Sequence, residues 1–228
     1  MLAILFDFNG TMLFDEKLQE QSWRTFIEEK IHRPVTKEEF QQYIHGRNVE
    51  VTLKHFLGQS FSRKETERLE EEKEVIYRSL CLNSPAFQLA SGLPHFLDEL
   101  VKKQIPVTIA TASGYKNVQF FFQHLGLGRW FSIDHVAYND GTLPGKPAPD
   151  LYLKAATNLG VSIHDCIIFE DSLSGIEAAK RADALGIIHV ASMQPICDPA
   201  ISGSIKDYTD QQLPTFIRYL YATHHAKA

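Results

Sequence analysis

Cysteine is scarce in this chain: Cys81, Cys166 and Cys197 are well separated, and no CxxC pair occurs in 228 residues. That argues against a disulfide framework and against a zinc site, so the three read as free thiols. No apolar run approaches the roughly 18 residues needed to span a bilayer. No basic n-region, apolar h-region or cleavage site precedes the first apolar stretch, which begins at Leu2, so a cytoplasmic protein is expected. Positive charge is in short supply, with Lys+Arg 23 against Asp+Glu 28 and a net charge of -5. There is no basic stripe for nucleic acid and no polybasic anchor for a membrane, and a small anionic ligand would have to find local positive charge. Repeats and low-complexity tracts are absent.

What is present begins with Leu2 to Thr11. Five apolar residues, Leu2 to Phe6, suit a strand covered on both faces, as in a parallel sheet. Asp7 then falls where such a strand ends, and Asn9-Gly10 supplies a sharp turn behind it. In open α/β sheets ligands bind outside the carboxyl ends of the strands, so Asp7 is either a nucleophile there or the cap of a turn. The segment alone leaves both readings open.

From Asp15 to Ser84 the composition shifts to Glu, Lys, Gln and Arg, with apolar residues at helical spacing. Four helices are marked by Leu18 to Ile31, Phe40 to Ile44, Val49 to Leu57 and Leu69 to Leu80. The dense charges of 63–74 read as a solvated helix face. After Pro85 short apolar runs alternate with helical segments of about ten residues. Strands are expected at 105–111, 135–138, 166–169 and 185–190, and helices at 94–103, 118–125, 149–159, 173–181 and 213–221. His224 and His225 are expected beyond the last helix, in a frayed end. The fold class is α/β: a Rossmann-like parallel sheet core, 1–14 and 85–228, with a helical domain, 15–84, inserted after the first strand.

Four segments carry the polar chemistry: Asp7 to Thr11, Thr111-Ala112-Ser113, Gly145-Lys146-Pro147 and Glu170-Asp171-Ser172. If the strands before three of them are neighbours, Asp7, Glu170 and Asp171 converge. Three like charges at close range require a cation or raised pKa values. An all-oxygen site suits Mg²⁺, which keeps several waters and accepts a phosphate oxygen. Lys146 and the Thr111 hydroxyl would supply charge and hydrogen bonds to a phosphoryl group.

In these motifs the chain resembles the haloacid dehalogenase superfamily, and in particular the subfamily with a helical cap after the first motif. That subfamily includes β-phosphoglucomutases and sugar-phosphate or phosphoglycolate phosphatases. The family pattern DxDGT appears here as Asp7-Phe-Asn9-Gly-Thr, followed by Asp15; GKPxPD appears from Gly145 to Asp150, and the acidic motif as Glu170-Asp171-Ser172 with Gly175 behind it. The resemblance implies that Asp7 is the nucleophile and forms a phosphoaspartate. It implies that Thr111, Ala112 and Ser113 grip phosphate, that Lys146 balances charge, and that Asp7, the Asn9 carbonyl, Glu170 and Asp171 hold Mg²⁺. Arg47, in a cap loop with Gly46 and Asn48, and Asn117 are candidates to face the substrate. The alternatives are a solvent-exposed arginine and a helix-surface asparagine. The cap is expected to open and close about hinges at 14–17 and 83–87. The expected partner is a small phosphorylated metabolite, foremost a sugar phosphate, and the expected state is a monomer.

Asn9 departs from the pattern. In the family's phosphatases and mutases an aspartate there protonates the leaving oxygen and activates the attacking nucleophile, work worth about 10²- to 10⁴-fold. The dehalogenases also lack it but use no metal, whereas Glu170-Asp171 points to metal. The phosphonate hydrolases lack it and use a cap lysine, and no cap lysine is marked out here. Asn9 is then a feature of a slow or specialised enzyme, an engineered substitution that stabilises a complex, or the mark of a silent phosphate-binding relative. Asn followed by Gly is also prone to deamidation, which would create the missing aspartate in part of a sample. A mutase is disfavoured further because Gln19 stands where β-phosphoglucomutases carry His.

Overall fold

The computed structural model describes residues 1–44, 47–192 and 195–225. The chain divides into two compact units, Met1–Phe14 with Gln88–Ala228, and Asp15–Phe87.

The first unit is built on a six-stranded sheet in which every adjacent pair is parallel. Its strands are β1 (Ala3–Phe6), β2 (Val107–Gly114), β3 (Ala137–Asn139), β4 (Cys166–Glu170), β5 (Gly186–Val190) and β6 (Ile201–Ile205), in the order β3-β2-β1-β4-β5-β6. β1, β4 and β5 are buried along their whole length, which is why they read as unbroken apolar runs and not as alternations. One core cluster joins Ala3, Leu5, Ala110 and Ile168 to Tyr152, Ala155, Ile176 and Ala179. The alternate residues meet aromatics: Phe6 stacks on Phe169 with ring centroids 5.0 Å apart and meets Phe131 edge-on at 6.2 Å.

Helices between the strands complete the unit: α5 (Leu93–Lys102), α6 (Tyr115–Leu125), α7 (Asp150–Leu159), α8 (Leu173–Arg181) and α9 (Leu213–His225). Gly126 and Gly160 close α6 and α7 in the left-handed conformation, where a side chain would be strained. β6 is a strand that the sequence reading does not contain. Its Ile-Ser-Gly-Ser-Ile core is mostly partly exposed, as an edge strand allows, and offers no apolar run. α6 starts at Tyr115, ahead of the expected Val118, and α9 includes the two histidines expected beyond it. Among the described residues no helix is long and apolar enough to cross a membrane.

The second unit is helical: α1 (Glu16–Ile31), α2 (Lys37–Tyr43), α3 (Val49–Leu57) and α4 (Arg63–Leu82). Thr36 with Glu39 and Ser62 with Glu65 form capping boxes that start α2 and α4 and satisfy N–H groups the helices leave open. Phe26, Ile27, Val35, Phe40, Leu53 and Leu69 make its core. Most of the charged run at 63–74 is solvated, but Lys73 turns inward and is 3% exposed. It pairs with Glu74, reaches Gln19 Oε1 at 3.3 Å and lies over the rings of Trp23 and Tyr77. Gln19 in turn donates to Asp15 Oδ2, which also accepts the Tyr77 hydroxyl at 2.6 Å.

Candidate active site

Strand order decides the site. β1 lies between β2 and β4, with Phe6 opposite Ile109 and Phe169. The carboxyl ends of the three strands therefore place Asp7, Thr111 to Ser113 and Glu170-Asp171 side by side, the position at which open α/β sheets bind ligands.

Asp7 continues the ladder by donating its N–H to Phe169 O at 3.0 Å. The chain then turns: Phe8 O accepts from Met12 and Leu13, and Gly10 N–H donates to Leu13 O at 2.7 Å. Gly10 has φ +82°, and a Cβ there would fall 2.2 Å from Asp171 Oδ2, so only glycine lets the turn approach that carboxylate. Thr11, fully buried, donates its hydroxyl to Asp171 Oδ1 at 3.2 Å. Asn9 is the one residue from 2 to 13 that is not buried. Its Oδ1 accepts the Ser113 hydroxyl at 2.9 Å, which ties the end of β1 to the end of β2.

Lys146, in the loop before α7, extends inward. Its Nζ donates to Asp7 Oδ1 and to Glu170 Oε1, each at 2.6 Å, and lies 4.9 Å from the centre of the Tyr152 ring. The Tyr152 hydroxyl also donates to Glu170 Oε1, at 3.1 Å. Glu170 Oε2 accepts the Ser172 N–H at 2.6 Å and the Ser172 hydroxyl at 3.0 Å. Ser172 at the same time caps α8 by accepting from the Gly175 N–H. The positive end of α8 thus faces Glu170, whose two oxygens carry four protein hydrogen bonds between them.

Residues 1–183 match the haloacid dehalogenase-like hydrolase family. The chain belongs to that family. It is 26% identical over 200 residues to a phosphorylated carbohydrates phosphatase of Thermotoga maritima, covering 83% of this chain and 86% of the relative. With a β-phosphoglucomutase of Bacillus subtilis it shares 27% identity over 193 residues, 82% of each chain. Among solved structures, a HAD hydrolase of family IA, variant 3, from Entamoeba histolytica superimposes with a TM-score of 0.89 at 37% identity, covering 97% of this chain and 100% of that one.

The electrostatics of this haloacid dehalogenase-like site centre on three carboxylates and one lysine. Carboxylate oxygens of Asp7, Glu170 and Asp171 lie within 4.8 Å of one another. Burial pushes Asp7 up to about 7; the Lys146 ammonium pulls against that shift and Glu170 adds to it. Burial, with Glu170 and Asp7 as neighbours, pushes Asp171 up to about 9. Burial works against the Glu170 anion too, but Lys146 and the Ser172 bonds override it and hold Glu170 below the usual range. Lys146 stays firmly charged despite its burial because two carboxylates grip it. One lysine is too little positive charge for three carboxylates, and an all-oxygen donor set around that deficit fits a hard divalent cation.

Mg²⁺ binds deprotonated carboxylates, and Asp7 and Asp171 hold protons up to about 7 and about 9 in the metal-free chain. Apparent Mg²⁺ affinity should therefore rise between pH 6 and 8.5, by about tenfold per pH unit for each proton displaced. Titration calorimetry in buffers of different ionisation heat reads both affinity and proton release. An affinity independent of pH would show that neither group titrates on binding.

Of the residues singled out from the sequence, the structure brings Asp7, Asn9, Thr111, Ala112, Ser113, Lys146, Glu170 and Asp171 to this sheet edge. Thr111 is 1% exposed and its Oγ1 accepts the Ser113 N–H at 3.1 Å, which leaves Ala112 as the exposed residue of the three. Asn117 does not lie on a helix surface: it is 3% exposed, inside the first turn of α6, because that helix starts earlier than its apolar pattern indicates. Arg47 belongs to the helical unit, is exposed, and donates Nε to Gln42 O at 3.1 Å. Gly46 lies outside the described residues.

Two residues of the site escape sequence reasoning. Tyr152 sits among the apolar residues of α7 with no spacing signal. His189 is fully buried in β5, paired in register with Glu170 and sharing a hydrogen bond with Ser204 Oγ at 3.2 Å; burial keeps it neutral. One polar side chain in Gly-Ile-Ile-His-Val was its visible trace. Gly175 is packed so closely that a Cβ there would fall 1.6 Å from Glu170 Oε1. Gly175→Ala is expected to displace Glu170 and free Lys146, weakening Mg²⁺ binding by tenfold or more, as calorimetry would read. Unchanged affinity would mean that α8 shifts as a body and carries Glu170 with it.

Proposed function

We propose that this chain is a Mg²⁺-dependent phosphatase that hydrolyses a small phosphomonoester, foremost a sugar phosphate, through an aspartyl phosphate on Asp7. The observation that carries the reading is the Asp7 carboxylate at the end of β1, gripped at Oδ1 by Lys146 and grouped with Glu170 and Asp171. The likeness to a phosphatase of phosphorylated carbohydrates supports the substrate class.

Asp7 attacks phosphorus in line with the leaving oxygen, the ester bond breaks, and water then hydrolyses the acyl phosphate to regenerate Asp7. Lys146 holds Asp7 in place and carries the charge of Glu170. The exposed end of β2 would offer the Ala112 N–H to the phosphoryl oxygens, while Ser113, whose N–H and hydroxyl are donated to Thr111 Oγ1 and Asn9 Oδ1, fixes the shape of that end. Asp7, Asp171 and the Asn9 main-chain carbonyl would hold Mg²⁺ directly. Glu170, whose oxygens are engaged by Lys146, Tyr152 and Ser172, would act through water. When bound, the ion offsets the repulsion between the Asp7 anion and an anionic phosphoryl group.

A phosphosugar mutase is a second reading, favoured by the likeness to the Bacillus enzyme. Against it, Gln19 is held by Asp15 and Lys73 and has no proton to exchange. Phosphate release from a panel of sugar phosphates and phosphoglycolate with Mg²⁺, against the Asp7→Asn variant, tests the proposal. Release that persists in the variant would overturn it, and isomerisation of a hexose phosphate without phosphate release would favour the mutase.

A further inference from the structure

Asn9 holds the one position of the turn behind Asp7 that is not buried, and an amide can donate a hydrogen bond but cannot surrender a proton. Among the described residues of this unit the polar groups nearest the turn are committed elsewhere, Asp171 among them, since it would give up its proton to hold the cation. The Ser113 hydroxyl proton is directed at Asn9 Oδ1. Thr11 is fully buried and bonded to Asp171, and Tyr152 is fully buried and bonded to Glu170. Lys146 is shared between Asp7 and Glu170, with its side chain 8% exposed. The nucleophile and its charge partners are therefore assembled, while the group that would protonate a departing alkoxide is missing.

From this we infer that the site selects substrates whose leaving group departs without a proton, acyl phosphates foremost, with sugar phosphates esterified at the anomeric oxygen ahead of those esterified at a primary alcohol. The inference rests on the aspartyl-phosphate chemistry of the phosphatase reading above, ranks its phosphomonoesters by leaving group and extends it to acyl phosphates, which are mixed anhydrides. In the first step an Asp7 oxygen bonds to phosphorus, the bond from phosphorus to the acyl oxygen breaks, and its electron pair leaves on a carboxylate that needs no proton. In the second step water attacks phosphorus, the bond to Asp7 breaks, and the water proton passes to the released phosphate or to solvent. A primary alcohol would have to leave as an alkoxide, a step from which general-acid help worth about 10²- to 10⁴-fold is missing. The first step thereby depends steeply on the leaving group.

The test compares this chain with Asn9→Asp and Asp7→Asn on acetyl phosphate, an aryl phosphate, glucose 1-phosphate and glucose 6-phosphate, all with Mg²⁺. Intact mass is read after acetyl phosphate treatment. The same mass measurement shows whether Asn9 has deamidated, a reaction the fold opposes by holding the Gly10 nitrogen on Leu13 O at 2.7 Å. The expected result is kcat/KM falling in that substrate order, by 10²-fold or more from first to last. Asn9→Asp should raise the glucose 6-phosphate rate by about 10²- to 10⁴-fold and the acetyl phosphate rate far less. Equal rates across the series, or an equal gain on every substrate, would overturn the inference and leave the phosphatase reading standing. No turnover of any ester, with no phosphoryl mass added by acetyl phosphate, would overturn both.

Discussion

Asp7→Asn is expected to abolish phosphate release and phosphoryl capture together, by about 10⁴-fold or more, since on the proposed mechanism the Asp7 carboxylate forms the covalent bond and an amide cannot replace it. The loss should not come from unfolding. Burial raises Asp7 from its ordinary value to about 7, so the folded state holds the proton more tightly than the unfolded chain. Ionising Asp7 thus costs stability progressively as pH rises from about 4 to about 7, and the full cost is present at pH 8. Asparagine never ionises. Measured in EDTA, the melting temperature of the variant relative to the parent should climb between pH 5 and pH 8, while activity stays absent throughout. An inactive variant whose relative stability falls with pH would mean that the Lys146 contact stabilises the Asp7 anion more than burial opposes it.

Lys146→Met should have the largest effect on stability. Lys146 is the cation held between Asp7 and Glu170 at 2.6 Å on each side. Methionine keeps much of the volume over the Tyr152 ring and removes the charge, leaving Asp7, Glu170 and Asp171 grouped around no compensating group. Removing one partner from a buried ionic cluster costs about 3–5 kcal/mol. The cost should be larger at pH 8 than at pH 6, because Asp7 and Asp171 can relieve it by staying protonated at the lower pH. Mg²⁺ should restore part of it, and catalysis should drop by about 10²- to 10³-fold even in the variant saturated with metal. Thermal melts at both pH values, with EDTA and with Mg²⁺, read all of this. A pH-independent loss that Mg²⁺ leaves untouched would assign Lys146 a packing role alone.

Asn9 connects these two results to specificity. On the proposed mechanism Asp7 and Lys146 decide whether a phosphoryl group can be captured at all, and the residue two positions after Asp7 decides which leaving groups allow it. On that reading strand β1 and its turn carry both reactivity and selectivity, with Asn9 the one of those residues that is not buried.

Much of this protein is local information. An unbroken apolar run is a strand buried on both faces, a run with 3.6-residue spacing is a helix, and their alternation makes a parallel sheet. That is why β1, β2, β4 and β5, the helices between them and the all-helical stretch after Phe14 can be read from residue order, as can the carboxylates and the lysine as residue types. β6 was illegible because an edge strand covered on few sides needs no apolar run, and the burial of Asn117 because a helix start set by Gly114 precedes its apolar stripe.

The pairings belong to tertiary structure alone. Lys146 lies 139 positions from Asp7 and 24 from Glu170, and only crossover connections that return each strand parallel to its neighbour bring them together. The engagement of both Glu170 oxygens, the role of Tyr152 and the protonation of Asp7 and Asp171 depend on it as well. A pKa sums over every charge and dipole around a group and the water excluded from it, and those neighbours come from four separate segments of the chain. Residue order determines which groups are available; the packing of the sheet determines which of them carry charge.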